Sequence, residues 1–258
     1  MKKLLLFFLA FVLFPSLIHA HRLEPIGTEL PNVLEKGRLV TEVGFGFLGF
    51  DDRTTASTVV PVGIEFSFIQ DLQLEVEFPY QDGPGAASGG IGDTEIGVRY
   101  QWLHEEDSFL NFSTGLEAKI PTGSEARGLG EGVTAGGPNL NIGRWFHDRF
   151  HLLGNVGYEI STKNGQGERS HELIARQALV TRLYEETFYL TEEVSYLPEF
   201  HQGTHSERHD HLLVAPGFLI AVRHGVEFKT SFPIGLASDD PDFSWRSQVA
   251  ISFGEVAF

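Results

Sequence analysis

The chain contains no cysteine, so no disulfide holds it together and its fold depends on backbone ladders and side-chain packing alone. Positive charge is scarce: nineteen Lys and Arg stand against thirty-five Asp and Glu, a formal net charge of −16. That balance excludes nucleic acid as a partner, because phosphate binding needs a basic surface. Long hydrophobic runs are missing after the first twenty residues. The longest, Leu212 to Val222, is interrupted by Pro216 and Gly217, whereas a membrane-crossing helix needs about 20 apolar residues. The glycine-bearing stretch 122–136 lacks the Gly-Lys-Ser/Thr ending of a phosphate loop.

The amino terminus is different in kind. Lys2 and Lys3 precede the apolar run Leu4 to Phe14, followed by Pro15 and a short segment ending at Ala20. This is the layout of a cleaved signal peptide, residues 1–20; an N-terminal membrane anchor is the alternative, but the apolar core is shorter than a spanning helix requires. Residues 21–36 are then expected as a periplasmic N-terminal segment, and 37–258 as the folded body.

What fills that body is alternation. Leu72, Leu74, Val76, Phe78 and Tyr80 interleave with Gln73, Glu75, Glu77 and Pro79, which gives a strand one apolar face and one acidic face. The same period-2 pattern predicts twelve strands, near 38–50, 57–69, 71–81, 91–103, 108–121, 137–147, 149–161, 171–183, 187–200, 211–222, 225–236 and 244–258. Tight polar turns at 69–71, 104–107, 147–149, 184–186 and 223–225 alternate with longer loops at 51–56, 82–90, 122–136, 162–170, 201–210 and 237–243. If neighbouring strands are antiparallel, every tight turn lies at one end and every long loop at the other. That asymmetry belongs to a transmembrane antiparallel up-and-down β-barrel of the bacterial outer membrane, with short periplasmic turns and longer extracellular loops.

Alternation also fits a soluble all-β protein with its apolar face inward, so charge has to decide. One face carries Glu42, Glu65, Glu75, Glu77, Asp93, Glu95, Arg99, Glu117, Lys119, Glu159, Glu172, Arg176, Arg182, Glu193, Glu227, Lys229 and Arg246. Midplane Lys or Arg turned toward lipid would each cost about 2–4 kcal/mol, so in a membrane this face must line the lumen. Twelve strands in one closed sheet also enclose more space than wall side chains fill. The other face, including Val43, Phe45, Val62, Ile64, Ile96, Leu116 and Ile234, forms a lipid-compatible band. Aromatics gather at strand ends as two girdles: Trp102, Phe109, Phe146, Phe150, Tyr184 and Phe188 on the turn side, and Phe50, Tyr80, Tyr158, Tyr196, Phe200, Phe243 and Trp245 on the loop side. Arg144 and Glu192 fall on the lipid parity. Arg144 is near a turn, where the cost is small, and a bulge at Glu192-Glu193 is expected to restore parity there.

Two motifs, Gly90-Ile91-Gly92-Asp93-Thr94-Glu95-Ile96-Gly97-Val98-Arg99-Tyr100 and Lys119-Ile120-Pro121-Thr122-Gly123, together with Leu30-Pro31 ahead of the first strand, resemble the barrel family named for a MetA pathway of phenol degradation. Its members are loosely described as transporters. The resemblance implies an outer-membrane barrel passing small, often aromatic or hydrophobic solutes, and it brings no catalytic residues. The closing Phe258 of an amphipathic last strand resembles the recognition signal of outer-membrane barrels, which implies the barrel-assembly machinery as a partner, beside the lipid bilayer and the solutes themselves.

Three features could carry other chemistry. His201, His205, His209 and His211 offer imidazoles suited to zinc, copper or nickel, but the segment reads as a solvated outer loop, so they stand only as weak metal candidates. Ser170-His171-Glu172, and Ser206 beside His205, evoke a hydrolase at the rim. Adjacent strand residues point to opposite faces, however, so Ser170 and His171 do not meet, and no enzyme activity is expected. Loop 122–136 is expected to be flexible, with folding into the mouth as the alternative. The predicted lumen face holds eleven acidic and six basic residues, which predicts passive passage of small solutes with mild cation preference and no cofactor. Pairing of Glu117 and Lys119 with Asp93, Glu95 and Arg99 would instead brace a closed, non-conducting barrel, and a surface-binding scaffold is the reading from another functional class.

Overall fold

The computed structural model describes residues 23–48, 57–82, 89–164, 167–202, 207–222, 225–237, 240 and 243–253. The predicted signal peptide, Phe50, His205, Ser206 and Phe258 lie outside the described residues. Twelve long strands make one antiparallel sheet: β1 (Leu39–Leu48), β2 (Ser57–Ile69), β3 (Leu72–Asp82), β5 (Thr94–Leu103), β6 (Asn111–Ile120), β7 (Ala135–Phe146), β8 (Phe150–Ser161), β9 (Arg169–Tyr184), β10 (Phe188–Gln202), β11 (Glu207–Val222), β12 (Val226–Ser231) and β14 (Trp245–Phe253). Two short pieces, β4 (Gly90–Ile91) and β13 (Ile234–Gly235), continue β5 and β12 beyond an interruption. Each strand pairs with its sequence neighbour, and β14 pairs with β1 from Leu39↔Phe253 to Phe47↔Trp245. The sheet therefore closes on itself and leaves no edge.

The interruptions have local causes. Pro233 has no N–H to give between β12 and β13, yet the Phe232 amide still reaches the Pro216 carbonyl and the Ser244 amide the Pro233 carbonyl, so the wall stays closed. Asp93 leaves the ladder between β4 and β5, and its carboxylate is used elsewhere. At the tight turns Asp71, His147, Asp148, Glu185 and Gly225 all take positive φ. His147 and Asp148 are consecutive at 51° each, and the Arg149 amide returns to the Phe146 carbonyl across them, so the three residues 147–149 join Phe146 to the opposed Phe150.

Burial follows strand parity. Val43, Val62, Ile64, Ile96, Leu116, Leu140 and Val156 are exposed on the outside, and the described turn-side and loop-side aromatics Trp102, Phe109, Tyr184, Tyr80, Tyr158 and Phe200 are exposed at its margins. Among the described residues no helix is long and apolar enough to cross a membrane. Arg144 sits at the turn end with its guanidinium 3.8 Å from the centre of the Phe109 ring, an attraction that suits the membrane boundary.

Two expectations about this wall are corrected. No bulge separates Glu192 from Glu193: both ladders run through them in register, and the shift falls at Phe188/Tyr189 instead. Glu193 is tied inside by hydrogen bonds, so Glu192 must point out, between Leu179 and Pro216. The expected outer loop 201–210 is also mostly strand, because β10 runs to Gln202 and β11 starts at Glu207. Cross-strand pairs on the outer face, among them Phe200 opposite Arg208, keep the hairpin zipped.

Leu140 and Val156 face each other mid-strand on the outside. Replacing either with Arg is expected to lower stability by about 2–4 kcal/mol, measured as urea unfolding of the barrel folded into lipid vesicles. A loss below about 0.5 kcal/mol would contradict the lipid-facing assignment.

Candidate functional site within the barrel

The most consequential segment precedes β1. Residues 23–36, expected as a separate periplasmic lead-in, enter the ring of strands. From Leu34, whose amide donates to Gln73 Oε1 at 3.0 Å, the chain runs inward past Val33, which donates to Gln101. It reaches Glu29, whose amide donates to Asn155 Oδ1 and whose carbonyl accepts from Asn155 Nδ2. Gly27 N and Thr28 Oγ1 both donate to Glu193 Oε2 at 2.9 Å. The chain then turns back, and the Leu23 amide meets Glu227 at 3.3 Å, near the tight-turn end. A bond from Leu30 N to Glu24 Oε1 closes the loop on itself. Arg99 of β5 clamps it from the side, donating to the Leu30 carbonyl and pairing with Glu29 and Glu75.

Apolar contact seats this loop. Leu23 and Leu30 pack with Leu153, Ala178, Val180, Tyr189, Leu219 and Ala221 in one buried cluster, with Trp145 against it; Leu34 joins Val40 and Ala250 in another. Every one of these wall positions faces inward near the tight turns, so the lumen is not polar throughout. Burying a Leu side chain is worth about 1.5–3 kcal/mol. His151 closes the floor, stacked on Trp145 at 4.5 Å between ring centroids.

Beyond the tip of the loop lies a cavity of about 350 Å³. It is lined by Glu24 and Glu29 of the inserted loop and, from the wall, by Glu42, Glu65, Glu75, Glu77, Glu95, Glu117, Glu159 and Glu172, with Arg99, Lys119, Arg176 and Lys229 as the basic members. Lys229 bonds Glu42 at 3.0 Å, and Gln73 bonds Glu65 at 2.6 Å. Glu24, Glu42 and Glu65 bring carboxylate oxygens within 4.8 Å of one another, so they could hold a cation among the described residues; the Lys229 ammonium already serves as counter-charge there. Arg182 stacks over Trp145, and Glu193 and Glu227 anchor the inserted loop. Arg246 lies on β14, on the same side of the strand as Gln248, which bonds Glu42.

The opposite end is narrowed by residues 122–136. They fold inward rather than standing free: a one-turn helix, Glu125–Arg127, precedes the buried Leu129, and Glu131 pairs with Lys119 at 3.0 Å. Asp93 fixes the loop, accepting from Gly123 N and Glu131 N at 2.9 Å each. Thr122 Oγ1 accepts from Thr94 N and donates to the Gly92 carbonyl. A Cβ at Gly130 would overlap the Asp93 carboxylate, so the close approach requires glycine there. A second cavity, about 280 Å³, lies beneath the loop.

Residues 27–253 match the family described as "Putative MetA-pathway of phenol degradation". The chain belongs to this phenol-degradation family. Its fold is similar to that of an outer membrane channel from Pseudomonas putida F1, at 13% identity over 89% of this chain and 99% of that one, TM-score 0.70. It is also similar to the β domain of the Bordetella autotransporter BrkA (13% identity, 85% and 100% covered, TM-score 0.53) and to the KdgM porin (12%, 83% and 99%, TM-score 0.53). At such identities the likeness is one of fold. No curated protein sequence matches the chain. A closed twelve-strand barrel with an apolar outer band places this family member in the bacterial outer membrane.

Within this member of the phenol-degradation family, the two glycine-bearing motifs meet at the clamp: Gly92, Asp93 and Thr94 come from one, Thr122 and Gly123 from the other. Of the charges that might have braced the wall, Lys119 bonds Glu131 and Arg99 bonds Glu29, both on inserted segments, while Glu117 bonds Asn139 of the neighbouring strand β7, and Arg99–Glu75 and Lys229–Glu42 still pair across the wall. Ser170 and His171 diverge, with the His171 ring against the exposed Tyr158 hydroxyl on the outside. His201 and His209 approach each other, while His211 bonds Asp240 at 2.8 Å. Sequence reasoning missed Gln101, Asn141, Asn155 and His151 on the lumen wall, although each has the inward parity of its strand.

Two outcomes follow. The chain has no Cys, so a thiol placed at Ile26 labels cleanly. Leu30→Ala is expected to weaken the seating of the loop by about 2–5 kcal/mol and to raise labelling of Ile26→Cys by a water-soluble maleimide at least tenfold while the barrel stays folded; unchanged labelling would contradict the seating. In the outer loop, Asp240 resists the desolvation of its surroundings because the Ala237 and Leu212 amides and His211 donate to it, and its carboxyl lies below the usual range. Its contribution is therefore fully present above the ordinary Asp pKa and disappears as pH falls through the lowered value. Hydrogen-exchange protection of the Leu212 and Ala237 amides is expected to hold at pH 6 and to collapse only well below pH 4; in Asp240→Asn it is expected to be weak at both.

Proposed function

We propose that this barrel is a channel for small solutes, closed at rest by its own segments 23–34 and 122–136. The cavity beyond the tip of the first segment supports this reading: it is walled by charge, residues 24–29 form one side of it, and residues 128–131 line the second cavity nearer the other end. Intramolecular hydrogen bonds contribute only about 0.5–1.5 kcal/mol each, so a seat built from a handful of them and two leucines is releasable, whereas the strand ladders are not.

Ten carboxylates and four basic groups around the cavity favour cations over anions. Neutral small aromatics, of the kind the family description points to, pass without opposing that field, and aromatic carboxylates are disfavoured. The channel description of the Pseudomonas putida relative agrees with this reading. The inserted segment is also what a non-conducting scaffold would have, and bilayer recording separates the two. Ester or lipid turnover by the purified protein would support a hydrolase instead.

In planar bilayers the full chain is expected to give brief, small openings with cation-biased reversal. Removal of residues 23–34 or Asp93→Ala is expected to lengthen the openings several-fold by freeing one end. Silence in the variant that combines both changes would sink the channel reading.

A further inference from the structure

One lateral row on the lumen side of β8, β9, β10 and β11 is used by neither closing segment. Glu159 stands opposite Glu172, Glu172 opposite Glu199, and Glu199 opposite His209. Directly opposed residues hold their Cβ atoms about 4.5–5.5 Å apart, and like charges so placed are destabilising. Three carboxylates in register therefore call for counter-charge; Arg176, four residues from Glu172 on the same face, serves the β9 end of the row, and Lys119 bonds Glu131 across the mouth, which leaves the Glu199 end to other groups.

Imidazoles complete the row. His201 lies two residues beyond Glu199 on the same face, with its Nε2 3.3 Å from Glu199 Oε1. Its ring centroid is 5.6 Å from that of His209, at 78°. The His201 side chain is 40% exposed and that of Glu199 31%, so an ion can reach both. This juxtaposition exists because the segment is strand: period-2 geometry sends Glu199, His201 and His209 to one face and Phe200, Arg208 and Asp210 to the other.

We propose that Glu199, His201 and His209 form a capture site for a borderline divalent transition ion, Cu²⁺ above Zn²⁺, on the lumen side of the β10–β11 hairpin. Two neutral imidazole nitrogens and one carboxylate oxygen suit such an ion, and the order of affinity follows the general ranking of first-row divalent metals. Glu199 stands directly opposite His209, whose ring lies 5.6 Å from that of His201, so binding draws the His209 ring toward Glu199, and the bound charge relieves the Glu159–Glu172–Glu199 row. His211, held by Asp240, stays outside the donor set. The absence of Cys means that no thiol competes for copper.

The test is titration of the tag-free full chain, folded in detergent micelles, with CuCl₂ and then ZnCl₂, followed by calorimetry and electron paramagnetic resonance. One Cu²⁺ per barrel with coupling to two nitrogens is expected, bound at least tenfold more tightly than Zn²⁺. His201→Ala and His209→Ala are each expected to weaken it tenfold or more, and Glu199→Gln severalfold. His147→Ala, at a periplasmic turn, is expected to leave it unchanged, and circular dichroism checks that every variant folds. The proposal is overturned if stoichiometric binding survives in His201→Ala/His209→Ala, if it depends on His205 alone, if Glu65→Gln abolishes it and so places the ion among the Glu24, Glu42 and Glu65 carboxylates, or if no binding occurs below millimolar Cu²⁺.

Discussion

Closure of the strands into a ring is the constraint on which the rest depends. A closed sheet has no free edge, so neighbouring strands of the wall satisfy one another's backbone groups, which a membrane demands. Closure also divides each strand into an outer and an inner set by parity. The outer set can be apolar without penalty. The inner set encloses a space too wide for its own side chains to fill, and buried polar groups there need partners. The chain supplies those partners from two stretches outside the wall, one entering from each end.

Both insertions use the same physical device, an inward carboxylate that accepts backbone amides. Glu193 and Glu227 take amides from the segment before β1, and Asp93 takes two from the loop after β6. A carboxylate can accept several hydrogen bonds, so one wall side chain can fix a stretch of loop that has no regular structure of its own. Leucines at 23, 30 and 129 add apolar weight to the same contacts. The result is a wall held by its own ladders and two inserted stretches that are not part of it, the separation on which the proposed closure rests.

The wall was legible because period-2 alternation and short polar turns are strong, local signals. Twelve strands, their neighbours and their closure follow from them, and parity alone sorts Glu75, Glu77 and Lys229 from Val76 and Phe228. The inserted segment was not legible, because residues 23–36 have no periodicity and their hydrogen-bonded wall partners lie 39 to 204 residues away in sequence. An indirect sign was present: at Ala178-Leu179-Val180 and from Phe218 to Val222 the alternation gives way to apolar residues on both faces, always beside a tight turn, and a strand end that is apolar inside and out needs something apolar within the lumen. The histidine segment was misread for the opposite reason. Polar residues on both faces look like a loop, although pairing across β10 and β11 keeps it extended. Glu192 shows the limit of parity arguments: a residue held firmly inward obliges its neighbour to face out, whatever its charge.

The central claim is that the segment before β1 occupies the lumen and is what closes it. Thiols at Thr28→Cys and Glu193→Cys, in a chain that has no others, can be joined by a short reducible bis-methanethiosulfonate linker, because Thr28 Oγ1 and Glu193 Oε2 are 2.9 Å apart in the native protein. Recording current through single barrels before linking, after linking and after reduction tests the claim most directly. The expected result is efficient linking, current abolished while the linker is intact, and openings restored by reductant; failure to link in the folded barrel, or unaltered current through the linked protein, would contradict it.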